Sequence, residues 1–167
     1  MDFFCRKDKQ RKNDMVKKLK IVVVDDTRSQ RDLIKERIGS AGHDVYTFDF
    51  ANTKQAANVV ETKLKQQTAD FLVLDIDFEY DQYAGIWLYN DLVRRGLRKR
   101  WRHTIIYSKH IPEGKSLRKS SDGMELNLRI FIDTANIQDN CALAKAKMNQ
   151  DDLLDIMESI IQKPIRH

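Results

Sequence analysis

The sequence predicts an α/β domain, a five-stranded parallel sheet covered on both faces by helices. Three observations carry this. Strand-like and helix-like periods alternate five times along the chain. Two of the strands, within "LKIVVVDD" (19–26) and "FLVLD" (71–75), are near-continuous apolar runs, the pattern of strands buried on both faces. No internal repeat or low-complexity linker divides the 167 residues, a length that suits a single core.

The elements follow in order. After the first strand, "RSQRDLIKERIGSAG" places Leu33, Ile34 and Ile38 at helical spacing, with Gly42 as a C-terminal stop. "HDVYTFDF" (43–50) alternates as a strand does. "ANTKQAANVVETKLKQQ" is helical, with Ala56, Val59, Val60 and Leu64 on one side. The third strand spans 70–75. "GIWLYNDLVRR" (85–95) predicts a helix ending at Gly96, and "HTIIYS" (103–108) a fourth strand. For the fifth strand two segments compete, "LRIFID" (128–133) and "CALAK" (141–145). The second leaves only a short connection to the final helix, "NQDDLLDIMESIIQK", which Asn149 caps, so 123–136 is assigned to the preceding helix.

Composition bounds the function classes. The chain is 41% hydrophobic and 33% charged, with no apolar run of membrane-spanning length and no signal-peptide core, so a cytoplasmic protein without a membrane segment is expected. Cys5 and Cys141 have no zinc spacing and are expected as thiols. His43, His103, His110 and His167 show no metal pattern and are expected on the surface or in loops. The net charge of +5 is located in residues 1–20, which hold eight basic and three acidic residues; the remainder is balanced. Residues 1–18 are therefore set apart as a basic, solvated tail and 19–163 as the domain. A second basic run, 94–102, contains Trp101 and is assigned to a helix end and a solvated loop.

In open α/β sheets, ligands lie beyond the carboxyl ends of the strands, where strand order reverses. Three strands here end in reactive groups: Asp25-Asp26 on the first, Asp75 on the third and Ser108 on the fourth. "CALAK" would add Lys145 on the fifth, with Lys147 as the neighbouring alternative. Carboxylates crowded together repel, and Mg²⁺, which takes oxygen ligands and bridges to phosphoryl groups, relieves that conflict. A carboxylate beside such an ion is suited to accept a phosphoryl group, with Ser108 and Lys145 as partners for the new oxygens. Asp26 alone reads equally well as a helix cap.

"VVVDD", "FLVLD" and "IIYS", in this order, resemble the receiver domain of two-component response regulators over about residues 19–163. The resemblance implies a flavodoxin-like, doubly wound sheet in three αβα layers. It also implies Mg²⁺ held by Asp25, Asp26, Asp75 and the main-chain carbonyl of Asp77, phosphorylation of Asp75, and a phosphoryl contact from Ser108. The donor would be a histidine kinase or phosphotransfer protein. The downstream partner would be a protein, a homodimer is left open, and nucleic acid is not expected. The chain departs from the pattern at Phe78-Glu79, where Met-Pro is usual, and in a loop to Gly85 about two residues longer. It departs again at Ala142, where an aromatic residue is usual, and at Lys145, which is followed by Ala146 rather than by proline. These departures raise a second possibility, a docking module that works without phosphorylation. A third is a phosphatase resembling the haloacid dehalogenases, with Asp75 as nucleophile and Asp77 as acid/base.

Overall fold

A computed structural model describes residues 17–79, 81, 83–109, 142–144 (as backbone) and 149–162. The described elements are β1 (Lys20–Val24), α1 (Arg28–Ser40), β2 (Asp44–Tyr46), α2 (Thr53–Gln66), β3 (Ala69–Leu74), α3 (Ala84–Arg94), β4 (Trp101–Ser108), β5 (Ala142–Ala144) and α4 (Gln150–Gln162). The strands form one sheet in the order β2-β1-β3-β4-β5, and every pairing is parallel. The predicted fold is therefore observed. The fifth strand is "ALA" of "CALAK", paired through Ile106 with Ala142 and Ser108 with Ala144. The helix expected over 123–136 lies outside the described residues.

The apolar runs form the centre as expected. Ile21–Val24 and Ala69–Leu74 are buried at every position, so β1 and β3 are covered on both faces. Asn52 caps α2 by accepting from the Gln55 backbone N–H at 2.8 Å. Asn149 and Asp152 cap α4 reciprocally, each carbonyl or carboxylate oxygen accepting the other's backbone N–H at 3.0 and 3.1 Å. Gly42 and Gly96 adopt φ of 94° and 78°, so both take the left-handed turn expected after a helix.

Four expectations are corrected. Leu33 is 46% exposed, and Arg31 takes its place on the buried stripe with Ile34 and Ile38. The second strand is three residues rather than eight, because the chain leaves the ladder after Tyr46. There Asp49 turns to the Arg31 guanidinium and Phe50 packs on Phe78, ring centres 5.4 Å apart, which draws 47–50 over the carboxyl end of the sheet. Trp101 is not in a solvated loop. It is buried as the first residue of β4, edge-on to Tyr89 at 5.8 Å, and it donates Nε1–H to Thr104 Oγ1. His43 is buried, its Nδ1 accepting the Leu19 N–H at 3.2 Å, and His103 is half-buried in β4.

Candidate phosphoryl-acceptor site

The sheet order reverses between β1 and β3, since β2 lies outside β1 and β4 outside β3. Val24 and Leu74 are in register there, and the Asp75 N–H donates to the Val24 carbonyl at 2.9 Å. The two strands therefore release Asp25-Asp26 and Asp75 side by side. One carboxylate oxygen from each of Asp25, Asp26 and Asp75 lies within 4.8 Å of the other two. Asp25 and Asp75 are buried and Asp26 is half-exposed, so the cluster opens to solvent on one side.

Local backbone fixes each carboxylate. Asp25 Oδ1 accepts the Thr27 N–H at 2.8 Å, and Asp75 Oδ1 accepts the Asp77 N–H at 3.3 Å. Asp26 Oδ2 accepts the Glu79 N–H at 2.7 Å, across the mouth of the cleft. Asp26 thus ties two loops together, while Thr27 holds the N-cap position of α1. The Arg31 guanidinium, 7% exposed, donates to the carbonyls of Asp25 and Asp26 at 2.8 and 3.1 Å and to Asp49 at 2.5 Å. Sequence reading missed this brace, although Arg31 falls on the stripe of Ile34 and Ile38.

The longer loop before α3 is absorbed by a compact turn. Phe78 and Asp81 exchange backbone hydrogen bonds at 3.1 and 3.0 Å, and Phe78 is buried against Phe50. Asp77 and Glu79 then line a cleft of about 170 Å³ together with Asp26, Thr27, Gln30, Asp75 and Lys109. Lys109 is the second residue that sequence reading missed, an exposed ammonium immediately after Ser108. Its adjacency to the hydroxyl was the available signal. Ser108 itself is fully buried at the end of β4, and its Oγ has no hydrogen-bond partner among the described residues. Lys145 and Lys147 lie outside the described residues. Burial pushes the Tyr107 phenol above its ordinary pKa, and the negative charges of Asp25 and Asp152 add to the shift.

The donor set fits a small hard dication. Opposite ligands of an octahedral Mg²⁺ stand about 4.2 Å apart, so oxygens already within 4.8 Å need only small side-chain adjustments. The open side leaves room for the waters such an ion retains.

No family model matches the sequence, and no curated protein matches it. Solved structures do. The Francisella response regulator 1452 receiver domain superposes with a TM-score of 0.54 at 20% identity, covering 86% of this chain and 99% of that one. A CheY-like receiver domain protein from Methanospirillum hungatei JF-1 gives 0.58 at 16% identity, covering 84% and 91%. Vibrio cholerae chemotaxis protein CheY4 gives 0.58 at 16%, covering 86% and 98%. The chain has the fold of a CheY-like response regulator receiver domain.

Proposed function

We propose that this chain is a receiver that accepts a phosphoryl group on Asp75, with Mg²⁺ bound by Asp25, Asp26 and Asp75 and the Asp77 carbonyl. One observation carries the reading: Asp25, Asp26 and Asp75 converge at the switch point of a receiver fold. The donor in this reading is a phosphohistidine on a histidine kinase or phosphotransfer protein. An Asp75 carboxylate oxygen attacks phosphorus, the new O–P bond forms as the N–P bond breaks, and the imidazole leaves with the electron pair. The ion, when bound, offsets charge on the transferring oxygens. Ser108 Oγ–H donates to one phosphoryl oxygen, and an ammonium, Lys109 or Lys145, pairs with another. Arg31 and the Asp26–Glu79 contact hold the carboxylates in place.

The chain then signals by protein contact and turns over no substrate of its own. Among the described residues no helix is long and apolar enough to cross a membrane. Intact-mass measurement after incubation with acetyl phosphate and Mg²⁺ tests the reading. A single phosphoryl adduct, absent in Asp75→Asn, is expected. Failure of the wild-type chain to take up a phosphoryl group from acetyl phosphate, or to bind beryllofluoride, would leave the docking-module reading in its place. Continuous hydrolysis of a generic phosphate ester would support the phosphatase.

A further inference from the structure

We infer that the amino ends of β1, β3 and β4 form a second anion site, for a ligand bearing two or three clustered phosphates. A recess of about 330 Å³ opens there, at the opposite end of the sheet from the carboxylate cleft. Lys17, Lys18, Lys20, Lys99, Arg100 and Arg102 line it, with Asp70 as the one acidic lining residue described.

Asp70 is already spent inside the fold. Its Oδ2 accepts the Lys20 N–H at 2.9 Å, and its Oδ1 lies 3.5 Å from the Lys17 ammonium. Lys18 pairs with Asp44 at 3.0 Å. Lys20, Lys99 and Arg102 have no carboxylate partner among the described residues. Register places two of these three in one row. Ile21 pairs with Phe71 and Phe71 with His103, so Lys20, Asp70 and Arg102 share one face on adjacent strands. At about 4.8 Å per strand step, Lys20 and Arg102 stand roughly 10 Å apart.

The turn carrying Lys99 is held on both sides. Arg100 donates to the Leu64 and Lys65 carbonyls at 2.7 and 3.3 Å, and Arg98 donates to the Trp101 carbonyl at 2.8 Å. The charges choose the ligand. Arg100 spends its fork on backbone carbonyls, while Arg102 lines the recess without a carboxylate partner among the described residues and can present its fork to two oxygens of one phosphate. The lysine ammoniums beside it are point charges suited to further phosphate oxygens. The volume matches a small polyanion rather than a folded segment. The positive field is felt two residues along β4, where burial and then the charges of Arg102 and Arg98 lower the His103 pKa.

The test is calorimetric titration of the full chain, without Mg²⁺, with inorganic tripolyphosphate. Saturable binding is expected, weakened about tenfold or more in Lys20→Gln/Arg102→Gln, whose substituted side chains are exposed. Asp70→Asn should bind more tightly. Lys7→Gln/Lys9→Gln/Lys12→Gln, which removes one more charge but from the tail, should bind nearly as wild type. Co-sedimentation with phosphatidylcholine vesicles separates the sources. Retention on vesicles carrying a bisphosphorylated inositol lipid, but not on vesicles of equal charge in phosphatidylserine, assigns a lipid headgroup. Tripolyphosphate binding without such retention assigns a soluble ligand. Absence of binding, or equal losses in the pocket and tail variants, overturns the inference.

Discussion

Gly85 meets Asp75 backbone to backbone: a Cβ on Gly85 would lie 1.9 Å from the Asp75 carbonyl oxygen and 2.8 Å from its carbonyl carbon. The Gly85 N–H also donates to the Ile76 carbonyl at 3.0 Å, so the first turn of α3 is seated against the loop that carries Asp75. Gly85→Ala must therefore displace backbone, since both contacting groups are main chain. The expected cost is about 2–4 kcal/mol in denaturant unfolding, together with weaker Mg²⁺ binding as the loop shifts. Stability and metal affinity both equal to wild type would contradict this packing.

Asp26 and Asp75 separate two jobs. Asp75→Asn removes the proposed nucleophile and should abolish acetyl-phosphate labelling without unfolding the chain. Asp26→Asn keeps an oxygen that can accept the Glu79 N–H, so the tie across the cleft survives while a metal charge is lost. Mg²⁺ affinity should then fall about tenfold or more with melting temperature little changed. Labelling that survives Asp75→Asn but fails in Asp77→Asn would move the acceptor to Asp77.

The central sheet was legible because β1 and β3 are buried on both faces, which leaves an apolar run that polar alternation does not interrupt. The carboxylates were legible for a related reason: charge directly after such a run must lie at a strand end. Arg31 was not legible as a brace, because an arginine on a helix looks solvated until the carbonyls it caps are known. β2 was over-read because Phe48 and Phe50 alternate as in a strand, yet they pack on the core from a segment outside the ladder. Trp101 was misplaced by its basic neighbours, whose guanidiniums bond backbone carbonyls around it.

The tail should be dispensable for folding. Lys17 and Lys18 pair with Asp70 and Asp44 through ammoniums 59% and 64% exposed, contacts that contribute little. Removing residues 1–18 should therefore leave melting temperature and labelling by acetyl phosphate nearly unchanged. A drop of several degrees would give Phe3 and Phe4 a place in the domain.

His103 sets a pH dependence. Burial first, and then the Arg102 and Arg98 charges, hold its pKa below the ordinary histidine value, with Asp70 opposing weakly. The unfolded chain therefore binds this proton more readily than the folded one. The resulting destabilisation is absent above the unfolded pKa of about 6.5 and grows as pH falls from there towards the folded pKa. His103→Gln should flatten the stability profile over that window, measured by urea unfolding from pH 8 to 5. A profile as steep as wild type would assign the dependence to another group.

The cation of the site is the remaining choice. Lys145 follows a strand whose last described residue, Ala144, pairs with Ser108, while Lys109 lines the carboxylate cleft directly. An ammonium there acts oppositely on the two ligands. It repels a divalent cation and attracts a phosphoryl group, so removing it should tighten Mg²⁺ and weaken beryllofluoride. Lys109→Met is expected to show that split, with Mg²⁺ bound several-fold more tightly and beryllofluoride about tenfold more weakly. Lys145→Met serves as the comparison, because a lysine that only contributes to folding would lower both affinities together. If Lys145→Met alone shows the split, the phosphoryl cation comes from the fifth strand and Lys109 is a solvated rim residue. If both variants keep wild-type affinities, neither lysine meets the phosphoryl group, and the docking-module reading gains on the receiver.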